Sequence, residues 1–376
     1  METLNAPELI SLLLTALYLF VVATFIRGWN VLPSFRSSKP VARTSVSIII
    51  AARDEAQNIA KTIEDLLAQD YPAPLTEIIF IDDHSEDNTA AIIRSYPRLK
   101  LIQLNEADQI NSYKKKAIET AIGQASGDLI ITTDADCRMS PQWLSTVVDY
   151  YEQNNYKMIS SPVCYTDEKS WFERAQSLEF LYLIGMGAST IGNRQPSTCN
   201  GANLAYQKSV FHEVGGFKGI DDLASGDDEL LLHKIAERYP AQIGFCKNYQ
   251  AMVFTEAKPT LSAFIQQRKR WASKSTRYKN KAVIVLGVLV WLFNFSILAN
   301  LLLTFISTHF LVVAALQLLL KIAVEFAFLN QVTRFARRKE LLQLVPALSI
   351  LHIFYILYIG IAGNSGKYNW KGRMVK

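Results

Sequence analysis

Asp134 and Asp136 stand two apart at the end of the apolar run that begins at Leu129. In an extended segment, residues two apart project to the same side. A strand ending in Asp-Ala-Asp therefore offers two hard oxygen ligands from the rim of a sheet, where ligands of open α/β sheets bind. Mg2+ or Mn2+ held by one or two carboxylates completes its shell with substrate phosphates. A polar turn after a strand has the same composition, so the pair needs company before it means chemistry.

The segments around it alternate strand and helix signals. Ser45–Ile50 is a short β-branched run and reads as a buried strand. Glu55–Gln69 has Ile59, Ile63, Leu66 and Leu67 at helical spacing and ends at Pro72 and Pro74. Glu77–Ile81 is a second strand, and Asp82–Thr89 a polar loop rich in helix caps. A helix from Ala90 leads to the strand Leu99–Leu104. Lys114–Ala125 reads as a helix before the Asp134 strand. This β-α-β-α-β order implies a parallel, nucleotide-binding half-domain. No Gly-x-Gly-x-x-Gly follows the first strand and no Gly-Lys-Ser/Thr loop is present, which disfavours a dinucleotide fold and a P-loop.

The chain has 376 residues, 50% of them hydrophobic and 19% charged, room for one large α/β domain and a membrane portion. Leu9–Ile26 is uncharged and apolar, and a crossing takes about 20 such residues. Glu2 and Glu8 precede it and no Lys or Arg does, unlike a signal peptide. Arg27, Arg36, Lys39 and Arg43 follow, which places the next segment on the cytoplasmic side. Ala282–Ser307, His309–Gln331 and Leu342–Ala362 are further candidate spans. Lys321 and Glu325, four apart on one helix face, can pair within a bundle. The basic run Arg334–Lys339 reads as cytoplasmic, so four crossings put it on the side of the large domain. The tail Lys367–Lys376 would then lie outside, against the positive-inside rule.

Cys137, Cys164, Cys199 and Cys246 lack the spacing of a zinc site, and reduced thiols are expected in a cytoplasmic segment. His84, His212 and His233 lack metal-ligand spacing and read as incidental. The net charge of +5 is concentrated in Arg268–Lys281, which holds seven Lys/Arg and no acid. That suits anionic headgroups or phosphates; no motif points to nucleic acid.

Several elements then coincide in order. They are Ala51–Glu55 after the first strand, Asp82-Asp83 after the second, the lysines Lys114–Lys116, and Thr133–Asp136. Gly201-Ala-Asn203, Gly226–Leu230 and Gln267–Trp271 follow. In this the chain resembles the membrane-bound branch of family 2 glycosyltransferases, with an α/β GT-A fold and a Q-x-x-R-W motif. The resemblance covers roughly residues 40–281. It implies an N-terminal membrane helix within 1–30, a cytoplasmic GT-A domain over 40–281, and a membrane region over 282–376.

The resemblance implies a nucleotide-sugar donor bound by Ala52, Glu55, Asp83, Lys115 and Asp134, with Gln267, Arg268, Arg270 and Trp271 closing over it. Asp83 would accept from the imide N–H of a uracil-type base. Asp134 and Asp136 would hold Mg2+ or Mn2+, which neutralises the leaving diphosphate. Asp228 stands at the position of the family's catalytic base. Its neighbours Asp227 and Glu229 are like charges that raise a carboxylate pKa. Asp227 replaces the glutamate common in the family, which leaves either aspartate as the base. The same acidic triplet also suits the first turn of a helix from Leu230. Arg270 suits bidentate phosphate binding, yet a juxtamembrane basic run before Trp is equally what an interfacial anchor looks like. Trp171–Gly192 fits an amphipathic helix on the membrane surface or a core helix.

The expected activity is inverting transfer from a UDP-sugar to a lipid acceptor at the cytoplasmic face of a bacterial-type inner membrane. The alternatives are a processive polysaccharide synthase, which usually needs more spans, and an inactive scaffold that binds nucleotide sugar. The complete set Asp83, Asp134, Asp136, Asp228 and Arg270 speaks against the scaffold.

Overall fold

The computed structural model describes residues 6–38, 42–105, 112–278, 280–363, 368–370 and 373–375. Glu2, Lys39, Lys367 and Lys376, named above for their charge, and Lys279 within the basic run Arg268–Lys281, lie outside the described residues. A long helix, α1 (Ala6–Val31), leads into β1 (Val46–Ala52), α2 (Ile59–Leu67), β2 (Thr76–Asp82), α3 (Thr89–Arg94), β3 (Lys100–Gln103), α4 (Tyr113–Gln124) and β4 (Leu129–Thr132). Then come β5 (Arg138–Met139), α5 (Trp143–Asn154), β6 (Met158–Ser160), β7 (Val163–Thr166), α6 (Trp171–Gly192), β8 (Leu204–Gln207), α7 (Lys208–Glu213) and α8 (Glu229–Arg238). The chain continues through β9 (Ile243–Phe245), β10 (Val253–Glu256), α9 (Leu261–Ser273), α10 (Lys281–Leu303), α11 (His309–Phe335) and α12 (Val345–Ala362).

The main sheet has the order β3-β2-β1-β4-β8-β6-β9. Its first four strands are parallel, as the alternating pattern requires, and β8 enters antiparallel between β4 and β6. Ile48, Ile49 and Ile50 of β1 are fully buried because both sheet faces are covered. A smaller sheet, β5-β10-β7, lies beside it. The expected helix over Glu55–Gln69 starts only at Ile59. Before it, the Glu55 carbonyl accepts from the Asn58 and Ile59 amides, and the Glu55 and Ala56 amides donate to Thr89 Oγ1 and Asp87 Oδ2. Four residues of the expected first turn are thus spent holding one loop to another.

Of the two readings for Trp171–Gly192, the core helix is found. α6 packs against α1, α11 and strands β7 and β9, with Leu178, Phe180, Leu181 and Ile191 buried. The approach to α1 is close enough that a Cβ on Gly28 would fall 2.1 Å from the Ser189 carbonyl oxygen.

Four helical segments are long and apolar enough to cross a membrane: Ala6–Val31, Lys281–Leu303, His309–Phe335 and Lys339–Ala362. They pack as one bundle through α1 on α10 and α11, and α10 on α12. Lys321 and Glu325 pair at 2.5 Å, and Tyr18 and Ser349 hydroxyls also donate to that carboxylate. With these donors around it, the buried ion pair is satisfied. The basic loop between α11 and α12 is seated on the α/β domain: Arg338 donates to the Tyr165 carbonyl and to both Glu168 oxygens.

Candidate active site

The site forms at the carboxyl ends of β1, β2 and β4. Ala52 pairs with Asp82 in register, and the Asp83 amide donates to the Ala52 carbonyl. Asp83 is buried at this edge, with His84 Nδ1 3.0 Å from its Oδ1. His84 thus touches an expected site residue, but it does not line the cavity described below. Arg53 Nη1 donates to the carbonyls of Asp83 (2.9 Å) and His84 (3.0 Å). Asp54 and His84 both hold positive φ, at 50° and 56°. Cross-loop bonds compensate for this uncommon backbone: the Glu86 amide donates to Asp54 Oδ1, and the Asp54 amide to Ser85 Oγ.

Asp134 and Asp136 do come together, though not by strand alternation as expected. β4 stops at Thr132, and the aspartates sit on a turn closed by the Cys137 amide donating to the Asp134 carbonyl at 3.2 Å. The ligand atoms of Asp134, Asp136 and Cys137 lie within 4.8 Å of one another. Burial pushes the Cys137 thiol up, further than its neighbours Asp136 and Asp134 do alone, so it stays protonated. The two carboxylates remain, a hard oxygen pair that fits Mg2+ or Mn2+. Thr255 of β10 reaches Asp136 Oδ2 at 3.5 Å.

The adjacent lysines of α4 point to different tasks. Lys114 Nζ stands 2.8 Å from Asp134 Oδ1 and 3.4 Å from Asp227 Oδ2. Lys115, the expected donor ligand, is buried and donates to the carbonyls of Ile220, Leu223 and Ser225. It does not line the cavity described below. Burial draws its pKa down to about 8. Lys115 thus braces the loop that delivers Asp227 and Asp228, and Lys114 takes the place in the site.

Gly226 precedes these acids with φ +88°, a conformation glycine adopts freely. Asp228 caps α8 by accepting from the Glu229 amide, and also accepts from the Gly201 amide at 3.1 Å. The helix-opening role and a place in the site hold together. Like-charge neighbours were expected to raise the Asp228 pKa. Burial does push upward, but Lys274, the Glu229 amide, Lys114 and the Gly201 amide together hold the carboxyl below the usual range. Lys274 Nζ is 3.4 Å from Asp228 Oδ1 and 2.8 Å from Glu229 Oε2. The Tyr278 hydroxyl donates to Glu229.

Gln267, Arg270 and Trp271 of α9 line the cavity; Arg268 does not. Its guanidinium is buried, paired with Glu179 of α6 and stacked on the rings of Trp271 (4.2 Å) and Phe264 (4.5 Å). Arg268 fastens α9 to α6, while Arg270 acts electrostatically on Asp134. The expectation that the whole basic run faces headgroups or phosphates is likewise corrected. Arg268, Lys274 and Arg277 are taken by Glu179, by Asp228 with Glu229, and by Asp222.

These residues open onto one cavity of about 1090 Å3. One end is lined by Ala52, Glu55, Asp83, Asp134, Asp136 and Asp228. The other runs onto α10 and α12, at Ile284, Gly287, Trp291, Ile356 and Gly360.

Residues 47–215 match the family model described as glycosyl transferase family 2. This chain carries a family 2 glycosyltransferase domain. It is 24% identical over 232 residues to a beta-monoglucosyldiacylglycerol synthase of Synechocystis sp., covering 60% of this chain and 47% of that protein. Over 200 residues it is 26% identical to a glucosyl-dolichyl phosphate glucuronosyltransferase of Haloferax volcanii, covering 51% and 61%. A poly-beta-1,6-N-acetyl-D-glucosamine synthase of Staphylococcus epidermidis is 24% identical over 237 residues, covering 60% and 53%. The chain spans about half the length of the curated relatives it matches. A mannosyltransferase from Pyrobaculum calidifontis, solved with GDP-Man and Mn2+, superposes with a TM-score of 0.57 at 18% identity, covering 93% of this chain and 99% of that one. That likeness concerns the fold, which is GT-A.

Sequence reasoning missed Lys114 within its cluster, and also Arg53, Lys274 and Tyr278. Lys274 follows Arg270 by four residues, a spacing that puts two side chains on one helix face. Continuing the α9 periodicity past the tryptophan would have found it.

Proposed function

We propose that this chain is an inverting glycosyltransferase that moves a sugar from a nucleotide-diphosphate donor to a lipid in the membrane. The carrying observation is the single cavity that joins Asp83, Asp134, Asp136 and Asp228 to the apolar flanks of α10 and α12. A donor needs the polar end, and a hydrocarbon chain needs the other. In this reading residues 40–281 form a cytoplasmic domain between a helix within 1–30 and a membrane region over 282–376. The seating of Arg338 on Tyr165 and Glu168 supports a common side for the domain and the basic loop.

Asp83 would accept from a base N–H, in our reading the imide of uracil, with Arg53 fixing its loop. Glu55 and Ala52 line the same end. A divalent cation held by Asp134 and Asp136 would neutralise charge developing on the departing diphosphate. Gln267, Arg270 and Trp271 flank the diphosphate and sugar, and Arg270 suits two-pronged contact with phosphate oxygens. Asp228 takes the proton of the acceptor. Asp227 and Asp228 each face one lysine, Lys114 and Lys274, so the preference for Asp228 rests on its position in the family's motif.

A processive synthase would pass its product through the bundle. The described cavity lining includes α10 and α12 but no residue of α1 or α11, which favours a seat open to lipid over a channel through all four helices. The test incubates membranes holding the protein with labelled nucleotide sugars, both UDP- and GDP-linked, and extracts the product. Label entering the organic phase in the presence of Mg2+ or Mn2+, and lost with EDTA or Asp136→Ala, is the expected result. Label confined to an aqueous polymer would reverse the choice of acceptor.

A further inference from the structure

α12 has the length and apolarity of a crossing helix, yet both of its ends stand on the side of the glycosyltransferase domain. Seven residues before it, Arg338 is seated on Tyr165 and Glu168. At its far end Gly363 packs on α9 so closely that a Cβ there would fall 2.5 Å from that of Ala272. The strand Tyr368–Trp370 also lies against α9. α9 belongs to the domain, since it lines the cavity and is fastened to α6 through Arg268 and Glu179. A helix of 18 residues, about 27 Å long, can cross a bilayer once but cannot cross and return.

The contacts along α12 agree. Ser349 donates to Glu325 of α11, and a Cβ on Gly360 would fall 2.5 Å from Trp291 Cδ1 of α10. Tyr18 of α1 ties these two places to one level of the bundle. Its hydroxyl donates to Glu325, and its ring stacks on Phe293, two residues past Trp291. Ser349 and Gly360 are separated by eleven residues, about 16 Å of helix, so α12 runs across the bundle axis and not along it. Between them Tyr355 meets Phe264, and Lys269 stands 5.4 Å over the Tyr358 ring, both from α9. The layers beyond, Asn300 with Gln317 and Glu8 with His309, are built by α1, α10 and α11.

We infer that α12 does not cross: it is a membrane-surface helix lying in the leaflet that faces the domain, and α1, α10 and α11 are the crossings. One face is buried against the protein at Leu348, Ser349, Ile353 and Leu357. The other exposes Ile350, Phe354, Tyr358 and Ile361 at helical spacing. The occupant of that face is lipid. It continues from the exposed Val285 and Val288 of α10, and Trp291, Tyr355 and Tyr358 gather at its level, as aromatic residues do at a bilayer boundary. The sequence after α12 carries Lys367, Lys371, Arg373 and Lys376. With three crossings these lie with the domain and with Arg334–Lys339, which removes the conflict with the positive-inside rule. The apolar end of the cavity, lined by Ile356, Ile359 and Gly360, then opens at the surface of that leaflet, so hydrocarbon would enter sideways.

The test is the side on which residue 369 lies. Ser95→Cys in the domain, Thr308→Cys between α10 and α11, and Asn369→Cys are each made in the full chain. Whole cells are treated with a membrane-impermeant maleimide, sealed or permeabilised, and labelling is read against the parent chain. The expected result is labelling of Thr308→Cys in sealed cells, and of Ser95→Cys and Asn369→Cys only after permeabilisation. Asn369→Cys labelled on the same side as Thr308→Cys overturns the inference and restores a fourth crossing. Ser95→Cys and Asn369→Cys labelled together in sealed cells overturn only the cytoplasmic placement of the domain, and the inference stands. Where Asn369→Cys reacts on neither side, a reporter fused after Lys376 decides. Fluorescence of a fluorescent protein supports the inference, and activity of alkaline phosphatase overturns it. The occupant of the exposed face is read from a nitroxide on Phe354→Cys in phosphatidylethanolamine–phosphatidylglycerol vesicles, relaxed by oxygen and by a water-soluble nickel chelate. A depth of about 5–10 Å, at the boundary of headgroups and acyl chains, is expected. A depth at the bilayer centre overturns the inference, and shielding from both reagents gives the face to a second copy of the chain in place of lipid.

Discussion

Lys274 Nζ lies 3.4 Å from Asp228 Oδ1, with Glu229 completing the contact at 2.8 Å. The cation follows α9, which carries the Gln267–Trp271 motif; the carboxylate caps α8. The pair thus couples the segment that would flank the donor to the residue that would take the acceptor's proton. Burial pushes Asp228 up and Lys274 leads the influences that bring it down. A base works only when ionised, so activity falls as pH drops through its pKa. Lys274→Met removes a lowering influence and leaves burial in force. The acidic limb of the kcat/KM profile should therefore move to higher pH, by about 1–3 units. An unmoved limb, with protein correctly inserted, would separate Lys274 from the base.

Lys114 and Lys115 are neighbours with opposite expected phenotypes. Lys114→Met removes the group between Asp134 and Asp227, and transfer should fall on the order of 100-fold with the fold intact. Lys115→Met leaves three carbonyls of the 220–225 segment without their donor, costing about 3 kcal/mol of stability. Thermal unfolding and specific activity of the two variants, measured side by side, check the assignment. Equal stability with equal loss of activity would mean both lysines serve the site.

Arg268 and Arg270 divide in the same way. Arg270→Lys keeps charge but loses the planar fork, so the transfer rate at saturating donor should drop without a change in stability. Arg268→Lys disturbs a buried pair with Glu179 and a ring stack, so melting temperature and expression should suffer first. A silent Arg270→Lys would return the motif to membrane anchoring.

The parallel half of the sheet was readable because its signals are local. β-branched runs and helical spacing fixed β1, β2 and α4 to within a few residues. The pairing of Lys321 with Glu325 needed only the four-residue spacing. What escaped was set by residues distant in the chain. Helical phase puts both Lys114 and Lys115 beside the apolar face of Ala117, Ile118, Ala121 and Ile122; Asp134 and the 220–228 loop decide between them. Arg268 and Arg270 likewise differ through residues far away in the chain, Glu179 for the first and Asp134 for the second. The pKa of Asp228 goes the other way from expectation because Lys274, Lys114 and two backbone amides outweigh the upward push of burial.

The apolar end of the cavity offers a site where function can be altered without touching charge. Gly287 of α10 lines it, and a Cβ built there meets no heavy atom of the described residues within 4 Å. Gly287→Leu should be tolerated by the helix, where leucine is favoured over glycine. Its side chain would occupy space otherwise available to hydrocarbon. Each CH2 excluded from the groove forfeits about 0.8 kcal/mol of burial, so losing two raises the acceptor KM about tenfold. The effect should weaken for shorter acyl chains, which do not reach the filled segment, and Gly287→Ala should fall between. The measurement is acceptor KM across a chain-length series in mixed micelles. A uniform change at all lengths would mean that hydrocarbon does not run along this face of α10.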